Sequence, residues 1–355
     1  MNAESPDSLA KPRRRFRRLL WVTLFITFDL IIFGAFVRLV DAGLGCPDWP
    51  GCYGSFTPLG AMDEIRAEEA VLPDGPVTIF KAWVEMLHRY VASGLGLMVI
   101  ALLAMAWDWR RRERALNHVG RYDDGGFSPS VWLAVLTLVW IILQGLFGMW
   151  TVTLRLRPAV VTAHLFGAML LFMMLMAQWN RVARQPVVEA GARVFRGRVR
   201  LMLMLVLVQI ILGSWVSSNY AALACQDFPG CQGSLWPEMD LAAGFEIWRP
   251  LGMSAHGDLL PFSALTAIHY VHRLMAYGVF LLAGILAWHI RHLHGLRWLA
   301  RALAVVLCLQ LLTGLATIFL GWPLLAALLH TAGAAALLAI SFMLDFRLHH
   351  AGSQC

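Results

Sequence analysis

The stretch GAFVRLVDAGLGCPDWPGCYGS, residues 34–55, recurs without a gap as GSWVSSNYAALACQDFPGCQGS, residues 213–234. In each copy an apolar segment leads into two cysteines six positions apart, with Pro-Gly just before the second cysteine. The two copies begin about half the length of the 355-residue chain apart. This spacing indicates a protein built from two similar halves.

Further blocks repeat in the same order along the chain. They are EMLHRYVASGL (85–95) with HYVHRLMAYGV (269–279), and LQGLFGMWTVTL (143–154) with LQLLTGLATIFL (309–320). A looser match places His164 opposite His330, each 20 residues after a glutamine, Gln144 or Gln310. We therefore divide the chain into an N-terminal half, 1–190, and a C-terminal half, 191–355.

The composition is that of a membrane protein. The chain is 59% hydrophobic and only 14% charged, whereas soluble domains carry about a quarter charged residues. About 20 apolar residues cross a bilayer as a helix, and eight stretches qualify. They are 19–40, 80–107, 130–153, 158–179, 200–219, 263–290, 298–320 and 323–345. The prediction is an all-α membrane protein with eight transmembrane helices in two pseudo-symmetric four-helix bundles, related by an axis along the membrane normal.

The net charge of +7 reflects topology and not nucleic-acid binding. Most of the 29 Lys and Arg lie in alternate loops, beginning with KPRRRFRR at 11–18. The positive-inside rule places both termini in the cytoplasm. The first apolar run is longer than that of a signal peptide and lacks a small-residue cleavage site, so it is expected to remain as a helix. Both cysteine loops then face the outer, oxidising side of a cell inner membrane.

Four histidines occupy matching positions in the two halves. His88 and His272 lie in the second span of their half, His164 and His330 in the fourth, all near the outer end. Ionisable side chains inside a bilayer mark functional sites, and two histidines at equal depth can hold a haem iron as axial ligands. The alternative is four polar residues hydrogen-bonded between helices. Zinc and covalent c-type haem are disfavoured, because the outer loops lack a compact Cys/His quartet and no C-x-x-C-H occurs.

One position separates the two halves chemically. Glu85 lies three residues before His88 on the same helical face, and His269 occupies the matching position. A carboxylate beside a haem could act as a general acid or base or stabilise developing positive charge. Alternatively, it forms an ion pair with Arg89, one helical turn on.

Three arginines near the outer surface are candidate cofactor contacts. Arg38, Arg89 and Arg273 could neutralise haem propionates, or extend their charged ends to the membrane interface. Arg38 aligns with Ser217 and has no basic counterpart.

The cysteine pairs can each close a short ring. Cys46 with Cys52, and Cys225 with Cys231, would form disulfides on the oxidising side of the membrane. Such a ring either stiffens a lid over each site or makes that lid sensitive to redox conditions.

Together these residues resemble the haem A synthase family of cytochrome oxidase biogenesis. The resemblance covers almost the whole chain, including E-x-x-H-R at 85–89. It implies that His272 and His330 hold a resident haem b. It also implies that His88 and His164 receive the substrate haem o, whose C8 methyl is oxidised in two steps to a formyl, and that Glu85 is the essential acidic residue. The chain departs mainly in its long first outer loop, 56–79.

The resemblance also implies partners: haem O synthase, an electron donor and oxidase assembly factors. Two other functions remain open on the residues alone. A dihaem b-type electron-transfer protein would need haems spread across both leaflets, whereas these histidines all lie near one face. A non-catalytic haem carrier differs from the enzyme only through Glu85 opposite His269.

Overall fold

A computed structural model describes residues 10–117 and 127–352. Within those residues the regular structure is helical, without β-strands. The helices are α1 (Ala10–Leu39), α2 (Met62–Val71), α3 (Ile79–Asn117), α4 (Val131–Thr153), α5 (Pro158–Val182), α6 (Arg196–Ser218), α7 (Leu241–Gly244), α8 (Phe262–Ile290), α9 (Arg297–Phe319) and α10 (Leu324–His349).

Eight of these helices are long and apolar enough to cross a membrane, as predicted. They are α1, α3, α4, α5, α6, α8, α9 and α10. The short α2 and α7 lie in the two long loops between spans. The last two predicted spans are the nearest to each other in sequence, and a tight turn separates them. There Gly321 and Trp322 have φ angles of 67° and 65°, and Pro323 caps α10. These left-handed residues end one helix and let the chain reverse.

The eight spans pack in a matching order along the chain. Helix α1 contacts α3 and α5, and α6 contacts α8 and α10 in the same way; α4 lies between α3 and α5, and α9 between α8 and α10. Between these groups, α5 packs on α6 and α1 packs on α10. A rotation that carried each helix onto its counterpart in the other half would turn the first of these contacts into the second. This arrangement is the one expected of two four-helix halves about a two-fold axis.

Two polar contacts join positions that the repeat aligns. An Arg38 Nη donates to the Ser217 carbonyl at 2.8 Å, and the Tyr220 hydroxyl donates to Asp41 at 2.5 Å. Residues that meet their own counterparts lie beside the axis. These contacts are those expected if a pseudo-two-fold axis passes between the end of α1 and the end of α6.

The buried apolar side chains form several separate clusters. The largest buried apolar cluster joins α6, α8, α9 and α10 with parts of α1 and α5. A second cluster, including Phe16, Trp109 and Phe127, closes the opposite end of the first four spans. The disulfide loops pack as small separate clusters, one around Cys46 and Cys52 and another around Cys225 and Cys231.

Candidate functional site

The four predicted histidines lie in two pairs, each within about three helical turns of the start of its helix. His88 on α3 and His164 on α5 are close enough for electrostatic interaction. His272 on α8 and His330 on α10 are likewise close. Each pair therefore brings together two helices of one half at one depth.

Each imidazole lies against a glycine of the preceding span. A Cβ at Gly34 would lie 3.2 Å from the Nε2 of His88, and one at Gly213 would lie 3.0 Å from the Cε1 of His272. His164 and His330 face Gly148 and Gly314 in the same manner, at 3.6 Å and 3.4 Å. The missing side chains give each ring room to turn toward the interior of its bundle. Helical packing alone does not require a glycine at all four positions, so the repeated cradle indicates a shared role.

The four rings are deep in the protein but not fully packed. Surrounding protein encloses each of them, yet each keeps part of its surface accessible. Part of each imidazole is therefore left uncovered by other protein groups.

Several buried polar atoms of the spans that carry or adjoin the histidines have no hydrogen-bond partner among the described residues. They are the Nδ1 of His164, both amide atoms of Gln144 and the Oε1 of Gln310. Both glutamines lie against a glycine, at Gly167 and Gly333, that leaves them space. Buried polar groups are seldom left unpaired, and such atoms are suited to a bound polar group.

These features fit haem. In residues 10–117 and 127–352 no three His, Cys, Asp or Glu side chains gather as a metal-ion site, but axial ligation of haem iron needs only two imidazoles. The glycines leave space beside each ring, and each pair of histidines could supply two axial ligands.

Glu85 is held by two donors in a position that is 5% exposed. One carboxylate oxygen accepts from the Cys46 N–H at 2.9 Å, and the other pairs with an Nη of Arg89 at 2.5 Å. The ion pair considered from sequence therefore exists. Glu85 is also tied to the disulfide loop, a contact that the sequence did not indicate. His269, at the matching position, is 7% exposed, and its Nδ1 has no partner among the described residues.

Arg89 and Arg273 face the loops that precede them in the chain. Arg89 donates to the carbonyls of Asp48 at 3.0 Å and Gly51 at 2.6 Å. Arg273 donates to those of Asp227 at 2.7 Å and Gly230. Each guanidinium thus fills a nest of loop carbonyls. This geometry favours an anchoring role over contact with propionates.

Arg38 is engaged at the junction between the halves. Besides the Ser217 carbonyl, its guanidinium pairs with Asp41 at 3.1 Å and lies 3.8 Å from the centroid of the Tyr220 ring. Its charge is balanced there by protein groups.

The two cysteine loops share one local structure. Cys46 is bonded to Cys52 and Cys225 to Cys231. Inside the second ring, Asp227 accepts from the backbone N–H groups of Gln232 and Gly233, both at 2.7 Å. These bonds, that of Gly233 above all, hold the pKa of Asp227 below its ordinary value. Asp48 makes the same two contacts, with Tyr53 and Gly54, in the first loop.

Sequence reasoning missed four polar residues in this region, Thr313, Arg249 and the paired loop aspartates Asp48 and Asp227. Thr313 hydrogen-bonds His330, with 3.0 Å between the hydroxyl and Nδ1. Arg249 is fully buried, donates to Asn219 at 2.5 Å, and has its pKa lowered by that burial. Asp48 and its counterpart organise the loops. The repeat CxDxPGC contained a signal for the aspartates, whereas Thr313 and Arg249 have no repeat partner.

Comparison with known proteins gives a consistent result. A family model, COX15-CtaA, described as cytochrome oxidase assembly protein, matches residues 17–342. The haem A synthase of Shewanella oneidensis is 34% identical over 337 residues, which cover 94% of this chain and 97% of that protein. Those of Allorhizobium ampelinum and Caulobacter vibrioides are each 28% identical, over 94% and 93% of this chain and 91% and 94% of theirs. On the extent of these matches and the fold, this chain belongs to the family of cytochrome oxidase assembly proteins that includes the haem A synthases.

Proposed function

We propose that the protein is a haem A synthase, a membrane oxidoreductase that converts the C8 methyl of haem o to a formyl group and so makes haem a for cytochrome oxidase. The observation that carries the proposal is two similar bis-histidine cradles with a buried carboxylate beside only one of them. Relatives named haem A synthase that align over nearly the full chain support it.

The two halves, 1–190 and 191–355, divide the work in this proposal. His272 and His330 hold a resident haem b, which supplies electron-transfer chemistry when bound. His88 and His164 hold the substrate haem o. The glycine opposite each ring and the accessible face of each imidazole support both assignments.

Glu85 acts on the substrate in the first half. Its carboxylate is fixed by the Cys46 N–H and by Arg89, and it lies on the same face of α3 as His88. From that position it stabilises positive charge that develops at the oxidised methyl, or takes a proton from it. Preorganised donors keep the carboxylate oriented without the cost of reorganisation.

The protein lies in the cell inner membrane with both termini in the cytoplasm and the disulfide loops outside. The basic residues at one end of the bundle and the disulfides at the other support this orientation. The partners are haem O synthase, an electron donor and oxidase assembly factors, with haem o as substrate and membrane lipid around the spans.

Co-expression with a source of haem o, followed by extraction and chromatography of the haems, tests the proposal. The wild-type protein is expected to yield formyl haem, and cells without it only haem o and haem b. Unmodified haem bound at wild-type stoichiometry would instead identify a carrier. A reduced-minus-oxidised spectrum of His88→Ala and His272→Ala would then assign each haem to its half.

A further inference from the structure

Thr313 makes a directional contact with one of the paired imidazoles. Its hydroxyl oxygen lies 3.0 Å from the Nδ1 of His330. The same oxygen lies 2.8 Å from the carbonyl oxygen of Leu309 and 3.3 Å from that of Gln310, and either carbonyl can accept its one proton. With the hydroxyl proton given to a carbonyl, the hydroxyl oxygen can accept a proton from Nδ1. A histidine that donates from Nδ1 presents an unprotonated Nε2 to a metal.

The first half lacks this contact. The position aligned with Thr313 is Phe147, which has no hydrogen-bonding group. The Nδ1 of His164 is buried and has no partner among the described residues. The two fourth-span histidines therefore share a glycine cradle but differ in what holds the ring.

The second-span histidines also differ in their polar neighbours. The side-chain amide nitrogen of Gln209 lies 3.1 Å from the Nδ1, 3.3 Å from the Nε2 and 3.1 Å from the carbonyl oxygen of His272, so it contacts the ring without fixing which nitrogen carries the proton. The aligned residue in the first half is Leu30, whose backbone carbonyl faces the His88 ring. Among the described residues, polar side chains within hydrogen-bond distance of both imidazoles of one pair thus belong to the C-terminal half.

Groups that hydrogen-bond a metal-bound histidine fix its tautomer and orientation and increase its basicity, and their loss typically weakens metal binding by about 10–100-fold. We propose that Thr313 is a positioning residue for His330 that makes the C-terminal site retain its haem, whereas Phe147 leaves His164 loosely held and its site able to release. This inference rests on the proposed function, because it assumes that the histidines ligate haem.

The difference matches what each site must do. A resident cofactor must stay through many reaction cycles, and its redox potential must be set by constant surroundings. A substrate must enter, and its product must leave after each cycle. Two cradles with identical ligands could not meet both demands unless other contacts distinguished them.

Haem transfer from the purified holoprotein to excess apomyoglobin tests the proposal. The phase of haem transfer that is absent in His330→Ala reports the haem of the C-terminal site. The rate of that phase and the midpoint potential of that haem are measured in each variant. Thr313→Val removes the acceptor with little change in shape, and Thr313→Ser restores it. Thr331→Val, beside His330 but bonded only to the Ala327 carbonyl among described contacts, is the matched control.

We expect Thr313→Val to lose this haem about tenfold or more faster than wild type and to raise its potential, because a less basic imidazole stabilises ferric haem less. Thr313→Ser and Thr331→Val should resemble wild type in both measurements. A Thr313→Val protein with the wild-type rate and potential would overturn the inference while leaving the proposed function intact. A His330→Ala protein with an unchanged haem spectrum and transfer rate would overturn both.

Discussion

At the scale of single residues, Glu85 is the side chain to which the proposed function assigns the chemistry. Glu85→Gln keeps an acceptor for the Cys46 N–H but removes the charge that faces Arg89 and that would act on the substrate. We expect haem a formation to fall about 100-fold or more, since acid–base groups contribute factors of that order, while haem content is unchanged. Haem extraction and a pyridine haemochrome assay measure the two quantities.

Glu64→Gln, at an exposed carboxylate of α2 in the first outer loop, is the control and should convert haem o normally. If Glu85→Gln made haem a at the wild-type rate with full haem content, Glu85 would be only a structural anchor for Arg89.

The glycine cradles lead to a second prediction at the residue scale. Gly213→Val would place a branched side chain where even a Cβ comes within 3.0 Å of the His272 ring. We expect the C-terminal haem to be lost, as seen in the haem-to-protein ratio. Gly284→Val tests the same substitution in a neighbouring span at a site where an added Cβ meets nothing within 4 Å. Equal haem content in the two variants would contradict the cradle.

At the scale of elements, the two disulfide loops are alike in shape and differ in what they hold. The first loop provides the N–H that orients Glu85, whereas His269 stands at that position in the second half. Cys46→Ser/Cys52→Ser should therefore reduce haem a formation more than it reduces resident haem. In the chain-entropy model, opening a ring with a separation of six costs about 2 kcal/mol of stability, in either loop.

Cys225→Ser/Cys231→Ser is the matched comparison, with its effect expected on retention of the resident haem. Chromatography of extracted haems and thermal unfolding of both variants separate these outcomes. Equal effects of the two double variants on conversion would show that the loops serve only as staples.

At the scale of the whole molecule, the junction beside the pseudo-two-fold axis joins the halves. Arg38→Ala removes the contacts to the Ser217 carbonyl and the Tyr220 ring. We therefore expect the unfolding free energy to fall by about 1.5–3 kcal/mol, the range for hydrogen bonds to charged groups, with haem binding retained. Unfolding followed by tryptophan fluorescence measures it, and Arg66→Ala at an exposed position of α2 is the control. If Arg38→Ala lost haem without losing stability, Arg38 would instead be assigned to contact with the haem propionates.

The sequence predicts the architecture well because membrane spans and repeats are patterns along the chain. Apolar runs marked all eight helices, and the aligned blocks paired His88 with His272 and His164 with His330. Contacts across helices are not encoded by spacing. Neither the Gly213 cradle nor the Thr313 bond follows from local pattern, because each depends on how closely two spans approach. The sequence shows the charge of Arg89 near a predicted cofactor, but it does not show the loop carbonyls that surround the guanidinium.

The junction also constrains how the protein could have arisen. Two copies of an ancestral four-helix chain, associated as a homodimer about this axis, would have placed each junction residue against its own duplicate. With the present residues, two N-terminal halves would bring the two Asp41 carboxylates together, but would also bring each Arg38 toward the Asp41 of the other copy, because Tyr220 stands at the position of Asp41. In the single chain, Ser217 and Tyr220 replace those charges on one side of the junction. Because the two sides of the junction now carry different residues, each half can change without the other.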